Sequence, residues 1–367
     1  MKIRFLTITT VLMLILGMAL GACAPEAEET PAVEEPAEEE PMEEEEPAEE
    51  EPAEEAACDG YVLVPKNLGN PYFDTGNTGA QEAAGELGIE VTYQGSATAD
   101  ATEQITLLNS LIAQNVCGLA ISANDADALV PTGQAAMDAG IAVVTWDSAI
   151  APAGRDIHIN QAELEGIAQV QLEMASRLAG EDGGEIAILS ATSTAPNQNA
   201  WIAEMEDMLA NNEDFANLEL VEIVYGDDED EKSYNEAQAL FTKYPDLEVI
   251  IAPTTVGIAA SARAVTDADL IDQVFVTGLG TPNQMREYVK NGAAPEFALW
   301  NPADLAYLAI YTTHALATGE IEAAAGETFT AGRLGEYTVE DDPDLGLNVL
   351  LGPPFVYNAE NIDDFDW

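Results

Sequence analysis

GYVLVPKNLGNPYFDTGNTGAQEAAGELGIEVTYQ, residues 60–94, holds an apolar run at 60–66, a helical stretch at 73–87 and a second apolar run at 89–94. Short apolar runs bounded by turn residues are strand candidates, and a helix between two of them makes a parallel crossover unit. The alternation continues. A helix over 102–114 carries apolar Ile105, Leu108 and Ile112 at helical spacing, and a strand at 118–122, a helix at 128–139 and a strand at 142–146 follow. Unbroken apolar strands are expected where helices cover both faces of a sheet, so this part predicts a doubly wound parallel sheet.

After Trp146 the order begins again. Helices are expected at 162–179, 199–211, 233–243, 257–267 and 283–291, with strands at 185–191, 218–225, 247–252, 274–278 and 296–300. An amphipathic stretch at 303–318 and a hairpin-like tail at 329–357 follow, and the chain is expected to return to the first lobe from 303 to 350. The prediction is α/β: two doubly wound parallel-sheet lobes joined by a hinge of three crossovers. One lobe is expected to comprise 58–149 with 303–350, the other 150–302 with 351–367.

The chain opens with Met1, Lys2 and Arg4, an apolar run to Leu20, and then Gly21-Ala22-Cys23. This looks like a bacterial lipoprotein signal peptide over 1–22, with Cys23 lipidated and exposed at the mature N-terminus. An uncleaved membrane helix is the alternative, but the run falls short of the roughly 20 residues that span a bilayer. Residues 24–57 are almost only Glu, Pro and Ala, with seventeen Glu and no basic residue. Such a segment buries no core, and prolines at 25, 31, 36, 41, 47 and 52 interrupt any helix, so 23–57 reads as an anchored spacer. Of the 68 acidic and 11 basic residues, 51 and 9 remain beyond the leader and spacer. That charge repels nucleic acid and phosphorylated ligands and suits a neutral small molecule.

Beyond Cys23, the cysteines are Cys58, before the first strand, and Cys117, at the start of the third. In a sheet of order 2-1-3-4-5 those strands are neighbours, so a disulfide is possible outside the cytoplasm; two buried free thiols fit the same placement. His158 and His314 have no neighbouring nucleophile and no metal-ligand spacing, and read as structural. No phosphate-binding loop pattern is present. An enzyme reading would make Lys66 a Schiff-base former with Asp147 as its base, which a lysine held protonated by a carboxylate disfavours. No enzyme activity, cofactor or metal is expected.

Ligands of open α/β sheets bind beyond the carboxyl ends of the strands. There the chain places Lys66, Asn70, Tyr72, Phe73 and Asp74, then Thr145-Trp146-Asp147-Ser148, and from the second lobe 194–199, Pro253-Thr254-Thr255, 280–283 and Trp300-Asn301-Pro302. With these residues in view the chain resembles the type I periplasmic sugar-binding proteins of ABC importers, and within them the rhamnose-binding and autoinducer-2-binding group. The resemblance runs from about residue 61 to 367. It is carried by VPKNLGNPYFD (64–74), TWDS (145–148), NQNAW (197–201), IIAP (250–253), TPNQMREYV (281–289) and FALWNPADLAYLA (297–309).

The resemblance implies a ligand set. Asp147 matches a carboxylate that accepts from sugar hydroxyls, and Lys66 a lysine that donates to ligand oxygens and pairs with Asp147. Tyr72 and Phe73 match aromatics that cover the C–H face of a sugar. Asn197 and Gln198 match a pair reading the opposite edge, and Pro253 and Thr255 match positions that line the pocket. Asn197 stands where autoinducer-2 receptors carry an acid, and the stretch from Trp300 and Asn301 looks more like the rhamnose branch. Rhamnose is therefore the expected ligand, with autoinducer-2 as the alternative. Gly280 replaces an aspartate of ribose- and galactose-type members, and Asn283 or Asn301 is expected either to supply the missing contact or to cap a helix. The implied partners are an ABC permease and its ATPase, or a membrane receptor if the protein serves sensing. The expected form is a monomer lipid-anchored outside the cytoplasm.

Overall fold

Continuous apolar strands dominate the first sheet of the computed structural model, which describes residues 58–367; the leader, Cys23 and the acidic spacer lie outside the described residues. Its strands are β1 (Tyr61–Val64), β2 (Val91–Tyr93), β3 (Gly118–Ile121), β4 (Ala142–Trp146) and β5 (Ile157–Asn160), joined through α1 (Pro71–Leu87), α2 (Ala101–Ala113) and α3 (Val130–Asp138). Spatially they run β2-β1-β3-β4-β5, all parallel. Alternation along each strand feeds two cores. Val62, Val64, Leu119, Ile121 and Val143 meet Leu108, Leu111 and Leu129 from α2 and the approach to α3, while Leu63, Ala120, Val144 and Trp146 turn the other way. Full burial of one such large apolar side chain is worth roughly 1.5–3 kcal/mol.

The second lobe contains α4 (Leu164–Ala179), β6 (Gly184–Ser190), α5 (Pro196–Asn211), β7 (Leu218–Tyr225), α6 (Asp230–Lys243), β8 (Leu247–Ala252), α7 (Thr255–Asp267), β9 (Phe275–Gly278), α8 (Pro282–Asn291) and β10 (Glu296–Leu299). Its parallel sheet has the order β7-β6-β8-β9, and a single bridge from Leu279 to Ala298 adds β10 beside β9. Ile186, Ile188, Val249 and Ile251 pack with Leu172, Ile202 and Met205 of α4 and α5.

From Asn301 the chain returns. Helix α9 (Pro302–Ala317) lies against α1, β3 and β4. The expected tail resolves into two hairpins, β11 (Thr328–Ala331) with β12 (Gly335–Thr338), and β13 (Glu340–Asp342) with β14 (Gly346–Leu350). Strand β14 then joins the first sheet beside β5, in parallel. The last strand, β15 (Phe355–Asn358), pairs antiparallel with β10 of the second lobe. The lobes are thus linked three times, through 161–163, 300–301 and 351–354.

One expected boundary moves. The break at 149–150 falls inside the first sheet, because β5 pairs with β4 through Thr145 and His158 and with β14 through Ile159 and Val349. The first crossing follows Asn160.

Cys58 and Cys117 are joined by a disulfide between the starts of β1 and β3, with Cα atoms 4.8 Å apart and a sequence separation of 59. A loop of that length gives roughly 2–4 kcal/mol of stabilisation. Among the described residues the scarce cations are all engaged. Eight of the nine beyond the leader lie within 4 Å of a carboxylate. The ninth, Arg155, is buried and donates to the carbonyls of Ile150, Leu345 and Leu347.

Candidate functional site

The carboxyl ends of both sheets face one small cavity of about 30 Å³, well below the roughly 300–1,000 Å³ usual for small-molecule sites. Its floor on the first lobe is set by the turn after β4. Asp147 takes a left-handed conformation (φ 61°), a backbone that aspartate tolerates better than most residues, and the Ser148 N–H donates to the Trp146 carbonyl at 2.6 Å. That turn presents the Asp147 carboxylate to the cavity. Ser122 at the end of β3 donates to Oδ2 at 2.6 Å, and Asn197 from the other lobe donates to Oδ1 at 3.2 Å.

Lys66 leaves β1 just beyond Pro65, its carbonyl held by Asn124 Nδ2 at 2.9 Å. Its buried Nζ donates across the cleft to Asn197 Oδ1 at 2.7 Å and Gln198 Oε1 at 3.0 Å, and lies 3.8 Å from Asp147 Oδ2. Burial pulls the ammonium below the ordinary lysine range, while the negative charges of Asp147 and Asp228 pull the other way. With its donors on amide oxygens and beside a carboxylate, Lys66 is a hydrogen-bond donor to oxygen. Asn197 is oriented by its partners: Oδ1 accepts from Lys66 and from the Gln198 N–H, and Nδ2 donates to the backbone carbonyl and to Oδ1 of Asp147.

Asn70 caps α1 by accepting the Tyr72 N–H at 3.0 Å, and the Thr255 hydroxyl reaches the same oxygen from the second lobe at 3.4 Å. Pro71 follows at the first helical position, where its missing N–H is not needed. The walls are aromatic. Tyr72 and Phe73 meet edge to face with centroids 5.1 Å apart, Trp300 stands 6.4 Å from Tyr72 and 5.9 Å from Trp201, and the Trp300 indole N–H donates to the Tyr72 hydroxyl at 2.8 Å. Burial holds the Tyr72 phenol well above its ordinary range, with the Asp147 charge adding to the effect, so it stays neutral.

Of the residues expected from sequence, Lys66, Asn70, Tyr72, Phe73, Asp147, Gln198, Pro253, Thr255 and Trp300 line this cavity. Asn197 stands at its edge, between it and a larger neighbouring cavity that reaches His158 and Asp342. Asn301 does not line it. Its Oδ1 accepts the Ala303 N–H at 2.9 Å as the cap of α9, and the residue borders an outer groove with Leu351 and Phe355. Nor does Asn283 contribute: it accepts from Arg286 on the outside of α8. At Gly280 a Cβ would meet Met285 Cγ at 2.6 Å and Ile258 Cγ2 at 3.2 Å, so packing occupies the place of any aspartate there. His158 bonds Thr145 at 3.0 Å and His314 bonds the Tyr61 hydroxyl at 2.9 Å.

Thr254, from the rim stretch 253–255, lines it too, and four further lining residues were not expected. Trp201 sits one helical turn beyond Asn197, a spacing that would have revealed it. Leu279 and Leu299 end β9 and β10. Asp228 lies past the end of β7, in the acidic run GDDED (226–230). Its carboxylate accepts from the Thr254 hydroxyl. Burial raises its carboxyl above the ordinary range and Asp147 and Asp227 add to this, against Thr254 and Lys66.

Residues 61–321 match the family described as periplasmic binding protein domain. Among solved structures, an ABC transporter solute-binding protein from Clostridium phytofermentas with bound L-rhamnose is 36% identical, with a TM-score of 0.81 over 84% of this chain and 98% of that one. A sugar ABC transporter protein from Actinomyces odontolyticus is 46% identical over the same shares, with a TM-score of 0.67. A D-ribose/D-allose-binding protein from Pseudomonas aeruginosa is 28% identical over 270 residues, 70% of this chain and 82% of that protein.

Proposed function

The chain belongs to the periplasmic binding protein domain family, and from that membership we propose that it is the sugar-capturing component of an ABC-type importer whose ligand is L-rhamnose. It binds and does not catalyse. The observation that carries the sugar reading is one cavity with a lysine and a carboxylate at hydrogen-bonding positions beneath four aromatic side chains. Hydroxyls need charged or amide partners, and the C–H face of a pyranose needs an apolar wall. A 6-deoxy sugar adds a methyl group, which Leu279, Leu299 and the indoles accommodate. The packing at Gly280 and the neutral Asn197 argue against the ribose-type and autoinducer-2 alternatives. The likeness to the L-rhamnose-bound protein supports the same ligand.

We further propose that Cys23 carries the lipid that keeps the protein at the membrane, outside the cytoplasm, as a monomer presented to its permease. Labelling of cells with radioactive palmitate should mark the parent and not Cys23→Ala; equal labelling would remove the anchor from Cys23. For the ligand, isothermal titration of the purified protein with L-rhamnose, autoinducer-2, D-ribose and D-xylose is expected to give binding strongest for L-rhamnose. Asp147→Ala removes a charged acceptor, and each hydrogen bond to a charged group is worth about 1.5–3 kcal/mol, so affinity should fall about 100-fold with the fold intact. Affinity within threefold of the parent would refute the assignment of Asp147 to the ligand.

A further inference from the structure

We infer that Asp228 is a second ligand-reading carboxylate, set on the lobe opposite Asp147, and that it selects neutral polyhydroxyl sugars over acidic ones. The inference rests on the sugar-binding reading and adds a residue and a charge rule to it.

Three observations lead there. First, the turn that carries Asp228 is fixed. Asp227 and Asp228 are both left-handed (φ 55° and 54°), the Gly226 and Asp227 N–H groups donate to the carbonyls of Ser190 and Ala191 at 2.9 and 3.0 Å, and the Glu229 N–H closes the turn on the Gly226 carbonyl at 2.9 Å. Second, Asp228 lines both the inner cavity and the outer groove formed by 67–71 and Gln284, which places it at the mouth. Third, its acceptors are only half used. Thr254 donates to Oδ1, and among the described residues no hydrogen bond reaches Oδ2. At Asp147, by contrast, both oxygens already have protein donors.

A carboxylate oxygen in this position can only accept, so the ligand must offer a hydroxyl at its mouth-facing end. The charges lining the cavity are one ammonium, Lys66, and two carboxylates. A neutral sugar leaves that balance unchanged. A uronic acid would bring a third negative charge beside Asp228 with no further cation to meet it, and is therefore excluded.

The test is titration of the parent, Asp228→Asn and Asp228→Ser with L-rhamnose, with its monodeoxy analogues and with D-galacturonate, and thermal midpoints confirm that each variant is folded. Asp228→Asn should weaken L-rhamnose binding about 10- to 100-fold, the range of one charged hydrogen bond. The loss should disappear for the one deoxy analogue that lacks the hydroxyl facing Asp228 and persist for the others. The preference for L-rhamnose over D-galacturonate should narrow about tenfold or more. L-rhamnose affinity within threefold of the parent in both variants, or an equal loss with every deoxy analogue, would overturn the role of Asp228. A parent that binds no neutral sugar would overturn the ligand reading itself and this inference with it, a result distinct from a parent that binds and a variant that is unchanged.

Discussion

Asp228 holds a charge that its surroundings resist. Desolvation raises its carboxyl and Asp147 and Asp227 add repulsion, and the raised value already includes the opposing pull of Thr254 and Lys66. The folded state therefore binds this proton more tightly than the unfolded chain, so stability linked to Asp228 declines as pH rises from the ordinary carboxylate range through the raised value. Above that value the penalty is fully expressed. Asp228→Asn keeps an oxygen for Thr254 and removes the charge. The sugar-free variant should melt above the parent at pH 7.5, and the difference should vanish as pH falls below about 4, where both side chains are neutral. Thermal midpoints of the two proteins between pH 3.5 and 7.5 measure this, and a variant that melts lower at pH 7.5 would reverse the sign. The contrast with Lys66 and Asp147 shows what a sequence reveals at this scale. A lysine in a body with nine cations, placed where a strand ends, stands out against its background. One aspartate in GDDED does not, in a chain with 68 acidic residues. Two consecutive left-handed residues turn it inward, and side-chain pattern does not encode that.

Helices α1 and α9 meet so closely at Gly79 that a Cβ there would lie 1.9 Å from the Ala303 carbonyl oxygen and 2.7 Å from its Cα. Backbone cannot yield as a side chain does, so Gly79→Ala should destabilise by about 1–3 kcal/mol, the usual cost of overpacking. Gly85, on the exposed face of the same helix, has open space where a Cβ would stand, with nothing within 4 Å, and Gly85→Ala should stabilise by about 0.5–1 kcal/mol through helix propensity alone. Urea unfolding of both variants checks the crossing, since equal effects from the two substitutions would mean α1 and α9 do not touch at Gly79. The helices were legible because their apolar spacing is long and regular. Strand β5 was not. Ile157-His158-Ile159-Asn160 alternates apolar and polar over four residues directly after a proline turn, and it becomes a strand only because β4 and β14 supply partners on both sides. Its misreading displaced the lobe boundary by about ten residues. Edge strand β13, Glu-Asp-Asp, carries no strand signal of its own and is defined wholly by pairing with β14.

The two lobes touch through hydrogen bonds that cross the cleft: Lys66 to Asn197 and Gln198, Asn197 to Asp147, and Thr255 to Asn70. Three short crossovers allow a hinge motion that makes or breaks this set together. A ligand bound between the lobes favours the closed arrangement by as much as its affinity for the two arrangements differs, and observed affinity scales with the closed fraction already present. Asn197 holds three of these contacts and stands at the edge of the cavity, so its removal weakens closure while leaving the aromatic walls, Asp147 and Lys66 in place. Each such bond contributes about 0.5–1.5 kcal/mol net. Asn197→Ala should therefore lower the closed fraction without sugar, raise the radius of gyration in solution X-ray scattering, and weaken binding about tenfold, less than the loss expected for Asp147→Ala. Saturating L-rhamnose should bring the radius of gyration of the variant back to that of the sugar-bound parent, because ligand contacts from both lobes then hold the cleft shut. A variant with unchanged scattering without sugar, or one that stays expanded at saturation, would mean that closure does not run through Asn197.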